Sequence, residues 1–139
     1  MSETLRMKLN LRSTFTAEDT PDEVIEEVLE CEVRQRGQTW FISYTEQSED
    51  KSCDVAITYN GTRMTMARRG DACVTLGFCV GERFSAVYTV GAMGLDITTY
   101  TTELSGSLCA SGGELLLAYD MNIGGATRGA RLHFRFSPL

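Results

Sequence analysis

The chain has little of what most catalytic and metal sites are built from. His133 is its only histidine, which removes multi-histidine metal centres and leaves a Ser-His-Asp triad without support. The five cysteines, Cys31, Cys53, Cys73, Cys79 and Cys109, are odd in number and lack a C-x-x-C pair. They spell neither a zinc-ligand spacing nor a closed disulfide framework. With only two prolines, 42% hydrophobic and 23% charged residues, the chain has the make-up of a folded protein, not a disordered one. No apolar run approaches the ~18 residues of a membrane-crossing helix. Basic residues are the minority, 13 against 19 acidic, for a formal charge of -6. A general phosphate-backbone binder needs the reverse balance, so no nucleic-acid partner is expected. Met1 to Arg12 alternates charge with leucine and methionine and has no apolar core of an export signal. Together with the cysteine count, this predicts a cytoplasmic protein with free thiols.

What the chain has instead is alternation. Its 139 residues suit a single domain spanning 1–139. Leu5, Met7, Leu9 and Leu11 alternate with Arg6, Lys8, Asn10 and Arg12, a half-buried strand with a basic outer face. Phe15 to Asp22 reads as a polar loop. Thr20-Pro21-Asp22-Glu23 resembles a helix start, and Val24, Ile25, Val28 and Leu29 fit a helical stripe. From Glu27 the period becomes two, Leu29, Cys31 and Val33 against Glu30, Glu32 and Arg34, and Arg36-Gly37 turns tightly into the next strand. This predicts a strand from about Val24, with a short helix over Val24–Leu29 as the alternative. Cross-strand ion pairs between Glu30 or Glu32 and Arg6 or Lys8 follow if the first two strands pair.

Trp40, Ile42, Tyr44 and Glu46 share a face of the third strand, and Glu49 to Ser52 turns. Val55 to Tyr59 and Met64 to Arg68 flank Asn60-Gly61, the signal of a type I′ hairpin. Asn60-Gly61-Thr62 also matches a glycosylation sequon, read here only as a turn. Val74 to Phe78, Phe84 to Tyr88, and Met93, Leu95, Ile97 and Thr99 continue the meander. Leu104 to Cys109 prolongs the last of these past a bend, with Gly106 suited to a bulge or kink. Gly112-Gly113 and Gly124-Gly125 are turns, not phosphate loops, because no helix follows them. Leu115, Leu117, Tyr119 and Met121 share a face. The chain closes on Ala130, Leu132, Phe134 and Phe136 inside, with Arg131, His133 and Arg135 outside. Such a run of hairpins predicts an all-β, antiparallel up-and-down barrel of about 8–10 strands, because closure removes open edges.

Several strings strengthen this. Trp40-Phe41-Ile42-Ser43-Tyr44-Thr45-Glu46, Met66-Ala67-Arg68-Arg69-Gly70, Gly91-Ala92-Met93 with Thr99 after it, and Gly113-Glu114-Leu115-Leu116-Leu117-Ala118-Tyr119 stand in order. Together they resemble the YwiB-like family, uncharacterised bacterial proteins with a lipocalin-like (calycin) β-barrel. The resemblance runs from about Leu5 to Phe136. It departs at Tyr88-Thr89-Val90-Gly91, where the family pattern has a second aromatic or a proline before the glycine. It implies the barrel, and that similar barrels often hold small apolar molecules.

Four apolar faces end in a polar residue: Trp40-Ile42-Tyr44-Glu46, Met64-Met66-Arg68, Phe84-Ala86-Tyr88 and Leu115-Leu117-Tyr119. Every second strand of a meander runs the same way, so these ends gather at one mouth, where Glu46 and Arg68 can pair. The expected ligand-binding set is Trp40, Tyr44, Glu46, Arg68, Tyr88, Thr99 and Tyr119, for a small, mostly apolar ligand with an anionic or acceptor group. The rival reading is a filled barrel with a polar plug, serving as a structural or protein-interaction module. Met64, Met66, Met93 and Met121 suit gap-filling core in either case. An enzyme ranks third: Glu46, Arg68 and a tyrosine could move a proton, but no nucleophile–base pair is present. No catalytic residue, metal, cofactor or membrane partner is expected, and the oligomeric state is left open.

Overall fold

The computed structural model describes residues 3–139, and of Ser48 the backbone alone. Met1 and Ser2, where the stretch read for an export signal begins, lie outside the described residues. Ten strands follow one another: β1 (Leu5–Ala17), β2 (Thr20–Arg36), β3 (Thr39–Ser48), β4 (Lys51–Tyr59), β5 (Arg63–Gly70), β6 (Ala72–Cys79), β7 (Arg83–Val90), β8 (Met93–Cys109), β9 (Gly112–Ile123) and β10 (Ala126–Pro138). Each pairs antiparallel with the next, and β1 pairs with β10 to close the barrel.

The alternation read from the sequence is the alternation of the pleat. Leu9, Ile42, Ile57, Met64, Leu115, Leu117 and Phe134 are all but sealed from solvent, and the residues on either side of each point outward. Leu132, Phe134 and Phe136 point inward while Arg131 and Arg135 are exposed, and outward-facing His133 meets the Glu114 carboxylate at 2.7 Å. The predicted Arg6–Glu30 cross-strand pair is formed. Across the barrel, the rings of Phe78 on β6 and Tyr119 on β9 lie 4.8 Å apart. Two strands separate them in the sheet order, so their contact fills the lumen at that level.

Several local expectations change. Residues 20–36 form one strand with no helix, because β1 pairs with it from Leu5↔Val33 to Ala17↔Thr20 and tertiary pairing outweighs the helix-start signal. The predicted loop over Phe15–Asp22 shrinks to a turn at Glu18-Asp19, where Asp19 takes the left-handed conformation. The turn over Glu49–Ser52 likewise shrinks to Glu49-Asp50. At Asn60-Gly61 only the glycine has positive φ (102°), so the turn is not type I′. The Asn60 side-chain oxygen instead accepts hydrogen bonds from the Thr62 and Arg63 amides at 3.0 and 2.8 Å. The β8 bulge falls between Thr101 and Glu103, not at Gly106. Gly106 answers a different need: a β-carbon there would lie 2.3 Å from Leu115 Cδ2 and 2.7 Å from the Glu114 carbonyl. Gly112 and Gly113 belong to the start of β9, just after the turn they were expected to form.

Two joints of the barrel are short. β2 and β3 pair only from Glu32↔Ser43 to Arg36↔Thr39, leaving Thr20–Cys31 of β2 with a ladder on one side. β6 and β7 pair only at Ala72↔Val90 and Cys73↔Thr89. Beyond that joint the Phe84 ring lies over Gly77, which has no β-carbon to hold it off, and Phe84 is 39% exposed where inward burial was expected. Met93 and Leu95 are also exposed, and the inward pattern of β8 begins only at Ile97. The barrel is thus two curved sheets, β3–β6 and β7–β10 with β1–β2, joined by partial seams at opposite ends: β6 and β7 pair at the end that holds Arg68, β2 and β3 at the end that holds Trp40.

Candidate binding site at the barrel mouth

Cross-strand register sets the cluster. Tyr44 opposes Val55, Val55 opposes Arg68, and Glu46 lies two residues beyond Tyr44 on the same face of β3. Arg68 Nη2 donates to Glu46 Oε1 at 2.7 Å, and both side chains are largely covered, at 33% and 22% exposure. Burial is the largest influence and works against the Arg68 charge, but Glu46, Tyr44 and Cys53 together more than offset it, so the guanidinium pKa rises. Tyr44 and Tyr119 titrate above the ordinary phenol range, chiefly because they are buried. The buried hydroxyls of Tyr44, Thr99 and Thr101 have no hydrogen-bond partner among the described residues. An unanswered hydroxyl in a dry site costs ~1–3 kcal/mol, so these groups are open to an added partner.

The expected residues do not all meet. Glu46, Arg68 and Tyr44 do, and Tyr119 is near enough to feel the Arg68 charge. Thr101, cross-strand neighbour of Tyr119, carries the second of the open hydroxyls on β8; Thr99 carries the first. Tyr88 is half-buried at the seam, between Val87 and Thr89. Trp40 is misplaced in the expected set. It shares the face of Glu46 but sits six residues down β3, roughly 20 Å away at the strand rise, beside Leu5, Val33 and Leu108 at the opposite end.

The structure adds residues that the sequence reading passed over. Glu27 of β2 points inward into the same cluster, and its carboxyl pKa is raised by burial and by the Glu46 charge, against the lowering effect of Arg68. The parity of Leu29, Cys31 and Val33, carried back one step, is the signal that would have placed it. Cys53 opposes Glu46. Arg69 joins Arg68 along an open cleft of about 600 Å³ in the β6–β7 seam, with Val74, Thr75, Ala86 and Val87. No group of three or more metal-ligating side chains gathers among the described residues.

Comparison with known proteins agrees with the barrel fold. The family model described as Domain of unknown function (DUF1934) matches residues 9–131. The crystal structure of the ywiB protein from Bacillus subtilis superposes with a TM-score of 0.88 at 19% identity, covering 98% of this chain and 93% of that one. At that identity the likeness speaks for the fold alone, and it is the fold that the YwiB-like strings implied. No curated protein matches. Matched over most of its length and sharing the closed antiparallel barrel, this chain belongs to the DUF1934 family.

Proposed function

We propose that the protein is a binding module, not an enzyme, for a small, mostly apolar ligand bearing an anionic or acceptor group. The observation that carries this is Arg68 itself. Glu46 occupies part of its guanidinium, while the residue also lines the β6–β7 cleft. A guanidinium offers five donors, so it can hold Glu46 and still receive a carboxylate or similar group. Arg69 lies beside it, and Val74, Ala86 and Val87 supply apolar wall. The ligand enters at the seam and not down the centre of the barrel, which Phe78 and Tyr119 fill. Tyr44 and Thr99 offer hydroxyls from within. The proposal includes no cofactor, no nucleic-acid or membrane partner, and a cytoplasmic setting, for which the five free thiols are suited.

The filled lumen favours a second reading, a structural or protein-interaction module without a ligand. Native mass spectrometry of protein purified from its host separates the two. The binding reading expects an added mass that is lost on denaturation and absent from Arg68→Met. A bare-chain mass from the host, with no uptake of long-chain carboxylates offered at millimolar concentration, favours the second.

A further inference from the structure

The other seam holds an unpaired strand edge of unusual charge. From Thr20 to Cys31 the side of β2 turned toward β3 has no ladder partner, so alternate amides and carbonyls are open along it. Between Glu30-Cys31-Glu32 and Ser43-Tyr44-Thr45 the fork opens into a cleft of about 920 Å³. Beside this edge Val24, Ile25 and Val28 are 48%, 40% and 67% exposed. Thr20–Val33 carries Asp22, Glu23, Glu26, Glu27, Glu30 and Glu32 and no lysine or arginine.

Some of those acids are answered from neighbouring strands: Glu23 by Arg128, Glu26 by Arg12, Glu30 by Arg6. Glu27 is not. It points inward, half-buried, and the cation within its reach, Arg68, is already held by Glu46. Two carboxylates therefore share one guanidinium, while Arg6, Arg12 and Arg128 are engaged by the outward acids of β2.

We propose that the open edge of β2 receives an extended segment of a partner protein by strand addition, with a lysine or arginine of that segment directed inward at Glu27. The ladder supplies affinity, and Glu27 supplies selection. Flanking apolar side chains of the segment cover Ile25 and Leu29. A second copy of this chain is a poor occupant, because pairing β2 with β2 sets one acidic strand against another.

The test uses the full-length protein and the acetylated, amidated heptapeptide Thr-Val-Thr-Lys-Thr-Val-Thr, read by amide hydrogen exchange. At saturating peptide, exchange within residues 22–31 slows by ~tenfold or more. The same peptide with glutamate for lysine, or with alternate backbone amides methylated, leaves exchange unchanged. Glu27→Gln weakens the lysine peptide by roughly fivefold or more, with protection in each protein measured against its own peptide-free form. The proposal is overturned if the lysine peptide protects no β2 amide, or if all three peptides protect alike. It is equally overturned if protection grows with protein concentration alone, which would make the occupant a second copy.

Discussion

Replacing Glu46 with glutamine keeps the shape of the side chain and removes its charge. Arg68 and Glu46 meet at 2.7 Å with 33% and 22% exposure, so the pair belongs neither to the solvated class nor to the sealed one. Exposed pairs contribute ~0–1 kcal/mol, whereas breaking a sealed pair from one side costs ~3–5. Scaled for the water that reaches Arg68, Glu46→Gln costs about 1–2 kcal/mol at pH 7, or roughly 3–8 °C in Tm for a chain of this size. Glu27 softens the loss, since its carboxylate remains near the arginine. Arg68→Met behaves differently. Methionine refills the space, but Glu27 and Glu46 are left facing each other without a cation. Arg68→Met is therefore the more damaging change at pH 7, and it recovers as the pH falls and Glu27, whose carboxyl pKa is already raised by burial, takes up its proton. Urea unfolding of the two variants and of their double mutant, at pH 7 and pH 5, measures both the coupling and its pH dependence. If both single variants lie within about 0.5 kcal/mol of the wild type at pH 7, the cluster is a solvated rim and the site has no physical basis.

Glu27→Gln works in the opposite direction. An acid whose folded pKa is raised holds its proton more tightly in the native state, so stability falls as pH climbs from the ordinary carboxylate range through the raised value. The glutamine variant should flatten that slope and raise Tm at pH 7 by a few degrees at most, as calorimetry across pH 4 to 8 would show; a lowered Tm at pH 7 contradicts the assignment. Gly106→Ala places a β-carbon into Leu115 and the Glu114 carbonyl and should cost ~1–3 kcal/mol in urea unfolding, against near-neutrality if β8 can move aside. Timed alkylation of the native protein should label Cys109 early, its thiol pKa lowered chiefly by the Ser111 hydroxyl, and Cys31 only on unfolding, its buried thiol pushed up to about 11. The reverse order would place Cys31 outside the barrel.

Much of the barrel was legible because alternation of period two is a direct image of the pleat, and because hairpin turns force consecutive strands to pair. The meeting of Glu46 with Arg68 followed from the same logic, since every second strand ends at the same mouth. Parity does not carry height, however: Trp40 and Glu46 share a face yet stand at opposite ends. Nor does it carry ladder length. Nothing in Leu29-Glu30-Cys31 marks where β3 parts from β2, and nothing in Phe84-Ser85-Ala86 says that β7 stands off β6. Both seams depend on how two curved sheets close, which is a property of the whole chain. Glu27 was masked by a local conflict, lying where a helical stripe and a strand pattern overlap. The Asn60 turn was misjudged because its side chain, not its backbone φ, makes the turn.

The central claim is that Arg68, reached through the β6–β7 seam, anchors an acidic group. Its most direct test is a nitrogen–proton NMR titration with dodecanoate that follows the Arg68 side-chain Nε–H together with the backbone amides. The account predicts saturable shifts at Arg68 Nε–H, at Cys73–Thr75 and at Ala86–Thr89, all lost in Arg68→Met while the spectrum stays that of a folded barrel. Shifts confined to other surfaces, or the same shifts persisting in Arg68→Met, would contradict it.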